Sequence, residues 1–276
     1  MISYDGELVG DLGVGCWQDT FDARDVWAED RIGKISELDP TATASMAEFR
    51  VGRLYQGGAN SCVANAIARG IDMLFRSRGV PDPPFASRRL VYFNARRAEA
   101  REAALRGEEP GPMMDRGSYF RLAMRAVQKL GFCDEAFYPY SDLEEKINET
   151  PPPMAYQNAI DQATLRYSRV PTLARVAACA EALRKKIVPV FGMKVDRSFT
   201  RNRGELITNV DFTDLVGGHA MTVVEVNEVG IVVDNFWTHF GDSNGYGYLS
   251  HALFESSTVF DCYLLEHADD FSTRAA

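Results

Sequence analysis

Directly after Cys62, the apolar residues Val63, Ala66, Ile67, Ile71, Leu74 and Phe75 recur three and four positions apart, the spacing of one α-helical face. Arg69, Asp72 and Arg76 fall on the other side and are expected to face solvent. The helix puts Cys62 in its first turn, where unpaired amides and the positive end of the dipole lower a thiol's pKa. Asn60 or Ser61 is placed to cap it. Six positions earlier stands Gln56, whose side-chain amide can donate to a developing oxyanion. Gln56-Gly57-Gly58-Ala59-Asn60-Ser61-Cys62 thus reads as a thiolate site with an oxyanion donor beside it. Taken alone, Cys62 reads more simply as a small buried hydrophobe, so the assignment depends on partners elsewhere in the chain.

A cysteine nucleophile needs a base, and the base needs a group to orient it. The chain has four histidines, and three of them, His239, His251 and His267, lie in the polar C-terminal stretch. His219 follows Gly217-Gly218 and opens a strand-forming run, Ala220 to Val226, which makes it the best-placed base. A turn at Asn227-Glu228-Val229-Gly230 and a second run, Ile231 to Asp234, complete an antiparallel hairpin that ends at Asn235. His219 and Asn235 close its open end, near enough for an amide to fix the imidazole tautomer. A tight two-residue turn leaves the pair one step out of opposition, so the register needs a longer turn or a bulge. Individually, His219 could be a solvated or structural histidine and Asn235 a turn residue.

Together these residues resemble the papain-like cysteine peptidases, whose signature runs Gln-x-Gly-x-Cys-Gly-Ser-Cys-Trp, then Gly-His-Ala, then Asn-Ser-Trp and a glycine-rich stretch ending in Gly-Tyr. Gln56, Ser61, Cys62, Gly218-His219-Ala220, Asn235, Trp237 and Gly245-Tyr246 stand at the matching places. Gly117-Ser118-Tyr119, Leu130-Gly131-Phe132-Cys133 and Tyr138-Pro139-Tyr140 look like the family's glycine, helix and Tyr-Pro-Tyr segment. Pro189 to Gly192 looks like the strand before the histidine, and the form Ser-Cys-x-Ala-Asn-Ala is similar to that of bacterial and phage members. The resemblance spans roughly residues 48 to 262.

It implies an α+β, two-lobed papain-like fold, with a helical lobe carrying the nucleophile and an antiparallel sheet or open barrel carrying His219 and Asn235. It also implies peptide or isopeptide hydrolysis through a thioester on Cys62, with His219 as base, Asn235 orienting it and Gln56 in the oxyanion hole. Trp237 shields the His-Asn bond, and Gly117, Ser118 and Gly218 line the substrate, with Gly117-Ser118 as its antiparallel backbone partner. No metal or organic cofactor is required. Two other readings share these residues: a scaffold or virion protein of the same fold with little turnover, and a related acyl transferase or amidase.

The departures from the family pattern also carry information. The family's half-cystines map to Ala59 and near Asp115, so that disulfide is absent. The second substrate glycine is Ser118, and Asn-Ser-Trp-Gly reads Asn235-Phe236-Trp237-Thr238. His219 and Asn235 follow Cys62 by 157 (219 − 62) and 173 (235 − 62) residues, against about 130–150 in papain. The implied insertion is assigned to Arg96–Met113, a charged helix and an exposed loop bordering the cleft.

Three segments are read: an N-terminal arm over 1–47, a helical lobe over 48–150 and a β-rich lobe over 151–276, with Pro151-Pro152-Pro153 marking the crossover. Within the arm, Phe21-Asp22-Ala23-Arg24-Asp25 resembles the Asp-x-Arg-Asp start of the family's mature domain. The arm is expected to be too short for an inhibitory propeptide, and to be either part of the fold or a surface for an assembly partner. A net charge of −9 argues against nucleic-acid binding, and the pairs Arg88-Arg89 and Arg96-Arg97 read as a solvated helix face. No apolar run reaches membrane-span length, the N-terminus lacks a signal-peptide pattern, and five separated cysteines fit a reducing compartment. The expectation is a cytoplasmic protein, virion-associated if phage-encoded, that acts on a protein or peptide substrate.

Overall fold

The computed structural model describes residues 12–109, 111–160 and 165–267. The first stretch contributes β1 (Cys16–Trp17), α1 (Glu29–Ile32) and β2 (Ala44–Ser45). A helical part follows: α2 (Cys62–Ser77), α3 (Arg88–Leu105), β3 (Ser118–Tyr119), α4 (Phe120–Leu130), α5 (Glu144–Ile147) and α6 (Pro153–Ile160). The remainder is mostly sheet: β4 (Leu165–Arg169), α7 (Arg175–Arg184), β5 (Val188–Asp196), α8 (Arg197–Thr200), β6 (Leu206–Ile207), β7 (Leu215–Val226), β8 (Ile231–Asp234), β9 (Tyr246–Leu249), α9 (His251–Glu255) and β10 (Val259–His267).

The main sheet runs β4-β10-β5-β7-β8-β9-β6, with β2 paired to β7. Among the described residues, the β6–β9 pair is the one parallel strand pair of this sheet. Helix α2 lies against this sheet. Thr222 Oγ1 on β7 donates to the Ala66 carbonyl (3.1 Å), and Gly70 meets Leu265, where a methyl group would come within 2.6 Å of Leu265 Cδ1. One apolar core therefore runs through both parts, joining Ile67 and Ile71 to Phe191, Val223 and Leu265.

Helix α2 is not amphipathic towards solvent, contrary to the sequence expectation, for Arg69 and Asp72 are buried with the apolar residues. Arg69 donates to Asp234 at the end of β8 (2.6 Å) and to the carbonyls of Val51 and Gly52, and its ion pair with Asp72 spans 3.2 Å. Arg50 binds the other oxygen of Asp234 (2.6 Å), and Arg76 binds Asp72 (2.8 Å). Every charge brought inside meets an opposite charge or a carbonyl, the condition under which such burial is tolerated. Nor does a side chain cap α2. The Ser61 hydroxyl bonds Tyr140 instead, and the Asn60 side chain takes the Val14 amide and the Asp115 carbonyl.

The arginines of α3 also turn inward rather than forming a solvated face. Arg88 makes a paired contact with Glu135 and lies 3.8 Å over the Tyr140 ring. Arg89 lies over Tyr138, and Arg96 over Tyr92, each reaching carbonyls behind the ring. Arg97 alone of these four is exposed. Charge at helical spacing does not distinguish a solvated face from one packed against tyrosines and loop carbonyls.

Pro153 does not begin the β-rich part as expected. It opens α6, a position proline suits because the first helical amide needs no partner. Ala155 and Ala159 then pack on Leu90, Cys133 and Tyr138, so the helical part continues to residue 160. The β7–β8 hairpin contains the irregularity that its sequence required. Thr222 faces Asp234 and Val223 faces Val233, then the register shifts so that Glu225 faces Val232.

Candidate active site

Cys62, His219, Asn235 and Gln56 converge from both parts of the fold, and all four are buried. Asn235 Oδ1 accepts from the backbone amides of Phe236 (2.6 Å) and Trp237 (3.3 Å), and lies 2.9 Å from His219 Nε2. That oxygen is an acceptor on every side, so Nε2 carries the imidazole proton and Nδ1 is left with a lone pair. Nδ1 is buried without a hydrogen-bond partner. The Trp237 ring stacks on the imidazole at 4.0 Å and screens the His-Asn bond from water. The backbone amides of Ala220, next in sequence to His219, and of Gly15 lie near enough to the Cys62 sulfur to lower its pKa, as do those of Val63 and Cys62 itself.

The sequence pointed to a depressed thiol pKa, but burial pushes Cys62 up to about 11, and hydrogen bonds from the Gly15 and Ala220 amides only partly oppose it. Burial likewise drives His219 down to about 4, against the raising effect of Asn235. The pair is therefore thiol and neutral imidazole near pH 7, because desolvation outweighs the helix end when water is excluded.

The N-terminal arm, read from the sequence as part of the fold or as a surface for a partner, covers these residues. Gln56 Nε2 donates to the Gly13 carbonyl (2.9 Å), and Trp237 Nε1 donates to the same oxygen (3.2 Å). The Val14 amide binds Asn60 Oδ1 (3.0 Å), and the Ser118 amide binds the Gly15 carbonyl (2.8 Å). Strand β1 then pairs with β3, Cys16 opposite Ser118. The expected substrate ladder at Gly117-Ser118 is thus occupied, and by a strand running parallel rather than antiparallel. Gly218 sits under this strand, where a side chain would come within 2.1 Å of the Cys16 carbonyl. The arm passes as bare backbone: a methyl group on Gly13 would lie 1.8 Å from the Ala59 carbonyl oxygen, and one on Gly15 would lie 2.2 Å from that of Asn60.

Several supporting residues escaped the sequence reading. The Tyr140 hydroxyl bridges Ser61 Oγ and the Gln56 carbonyl, each at 2.7 Å, and so ties the residue before the nucleophile to the oxyanion donor. Asn65 and Arg88 extend that chain to Glu135. The Tyr-Pro-Tyr segment was the available signal, though nothing in it specified a contact. Where the family pattern implies a disulfide between the regions of Ala59 and Asp115, the Asp115 carboxylate accepts from the Asn60 amide (3.0 Å) and from the Tyr92 hydroxyl (2.5 Å). Hydrogen bonds join the same two loops. All five cysteines are unpaired. The Arg96–Met113 segment borders the arm rather than the sulfur, with Glu99, Glu102 and Arg106 facing Phe21 and Asp22 across a cavity of about 400 Å³. Pro110 lies outside the described residues.

No family model matches the sequence. An uncharacterized peptidase C1-like protein of Acanthamoeba polyphaga mimivirus is 25% identical over 228 residues, which cover 78% of this chain and 70% of that protein. Xylellain, a cysteine protease from Xylella fastidiosa, aligns with a TM-score of 0.75 at 23% identity, over 92% of this chain and 96% of its own. The fold is that of the papain-like cysteine proteases. Procathepsin B S9 from Trypanosoma congolense shares it (TM-score 0.68, 15% identity, 92% of this chain and 85% of that one). So does bromelain from Ananas comosus in complex with E64 (0.58, 16%, 82% and 98%). The papain-like α+β architecture anticipated from the sequence is thus the observed one. Among the described residues no group of three or more His, Cys, Asp or Glu could hold a metal, and no helix is long and apolar enough to cross a membrane.

Proposed function

We propose that this chain is a cysteine peptidase that hydrolyses peptide or isopeptide bonds through a thioester on Cys62, and that its arm-docked state is latent. The observation that carries the reading is the imidazole of His219, fixed by Asn235 with a free Nδ1, in the strand whose next amide touches the Cys62 sulfur. With the arm displaced, water enters and Cys62 transfers its proton to Nδ1, giving a thiolate beside an imidazolium. The sulfur attacks the scissile carbonyl while Gln56 Nε2 and the Cys62 amide hold the oxyanion. His219 returns the proton to the leaving amine. It then takes one from water, which attacks the thioester and releases the acid and the free thiol. The Gly13 carbonyl on Gln56 stands where a substrate carbonyl oxygen would lie, so the arm fills the cleft. The peptidase C1-like relative and the cysteine-protease neighbours support the same chemistry.

The test is site-resolved labelling of the full chain with a thiol-directed epoxide at pH 5.5. Gly15→Val, which the arm cannot accommodate in the docked position, should raise Cys62 labelling by about a hundredfold and yield peptide hydrolysis that Cys62→Ala abolishes. Thermal unfolding of Gly15→Val near that of the parent would show that displacement is local. If Cys62 in the displaced protein reacts no faster than Cys16, Cys133, Cys179 and Cys262, the chain is a scaffold of this fold rather than a peptidase.

A further inference from the structure

Behind the cleft the arm is clamped by a buried ion cluster with more acids than bases. Asp19 and Asp25 come from the arm, Arg121 from α4, Arg169 from β4, and Asp261 and Tyr263 from β10. Arg121 pairs with Asp25 at 2.6 Å and, more distantly, with Asp19 at 3.5 Å. Arg169 bridges Asp25 (3.2 Å) and Asp261 (2.7 Å). The Asp19 amide donates to Asp261 Oδ2 (2.7 Å), while its carboxylate accepts from the Arg121 amide (3.1 Å) and the Tyr263 hydroxyl (2.9 Å). Three carboxylates thus share two guanidiniums in a largely buried site, whose Asp19 and Arg121 also line the cavity beside Phe21 and Asp22, and the surplus one has no cation of its own.

We infer that docking of the arm takes up a proton at the Asp19–Asp261 pair, so that the latent state is held below neutral pH and released as the pH rises above it. The inference rests on the latent reading given above and adds its trigger. Burial, then repulsion from Asp19, pushes Asp261 up to about 7, and burial raises Asp19 as well, against the pull of Arg121. With the arm gone, Asp261 loses both causes and returns towards about 4. A group whose docked pKa is raised stabilises docking fully below its free value, and that stabilisation is lost as the pH climbs through the docked one.

The other groups facing the cluster do not reverse the sign. Burial raises the Cys16 thiol and the Tyr263 hydroxyl, which stay protonated, and Arg24 and Arg125 hold Asp22 ionised throughout. Tyr167 packs edge-on against Tyr263, and its own hydroxyl is raised by burial. Cys62 and His219 carry two protons between them when docked, one on the sulfur and one on Nε2. They also carry two as thiolate and imidazolium when free, so near neutrality they exchange none with solvent.

The experiment follows epoxide labelling of Cys62 in the full chain from pH 5.5 to pH 8.5, alongside Asp261→Asn and Asp19→Asn. Either amide keeps an acceptor or donor in place and removes the surplus charge, so both variants stay latent at pH 8.5. The ratio of parent to variant labelling cancels the chemistry of the thiol itself. It should be near one at pH 5.5 and about tenfold or more at pH 8.5. A flat ratio, or one that falls with pH, overturns the trigger. Gly15→Val in the same assay separates the two readings. If it labels fast at every pH while the parent ratio is flat, the arm blocks the cleft without a proton clamp. If it labels no faster than the parent at pH 5.5, the latent reading falls and the trigger with it.

Discussion

At the scale of single residues, the sequence singled out Cys62, His219, Asn235 and Gln56, and the fold brings those four side chains together. None of them was decisive alone, and it was their order along the chain, in its resemblance to the papain-like pattern, that selected them. Their supports were not legible. Tyr140 could be read as part of a motif, but its two 2.7 Å contacts are made across the chain to Ser61 and Gln56. In a Gly15→Val background, Gln56→Ala should lower kcat by about a hundredfold. Tyr140→Phe should lower kcat by about tenfold with KM unchanged, because it loosens the oxyanion donor and not the substrate groove. Iodoacetamide reacts without an oxyanion, so its rate with Cys62 should be the same in Tyr140→Phe as in the background. A parallel fall in that rate would mean that Tyr140 only holds the fold.

At the scale of elements, the apolar periodicity located α2 and the strand-forming runs located β7 and β8, but pattern alone misjudged which charges face water. Arg69 and Asp72 looked like the outer face of α2 and are instead the join between that helix and Asp234, the residue before Asn235. Replacing Arg69 with leucine would strand Asp234 and Asp72 inside the core. It should cost about 3–5 kcal/mol in urea unfolding, whereas a loss below about 1 kcal/mol would show that Arg50 and Arg76 suffice as partners. Proline was misjudged for a related reason: it ends helices in their interior but starts them well, and only packing on Leu90 and Tyr138 shows which role Pro153 takes.

Over the whole molecule, the two-part architecture could be foreseen and the occupied cleft could not. Gly13, Val14 and Gly15 form no periodic pattern, and their role comes from the absence of side chains where the backbone grazes Ala59 and Asn60. A protein that holds its own occupant by a covalent tether confronts any outside molecule with a competitor at high effective concentration. Access is then gated in time, since a reagent can react only during an opening. The observed inactivation rate of the intact chain should therefore level off as reagent concentration increases, at a plateau equal to the opening frequency of the strand. Strict proportionality to concentration, with the slope seen for Gly15→Val, would mean that the gate is already open.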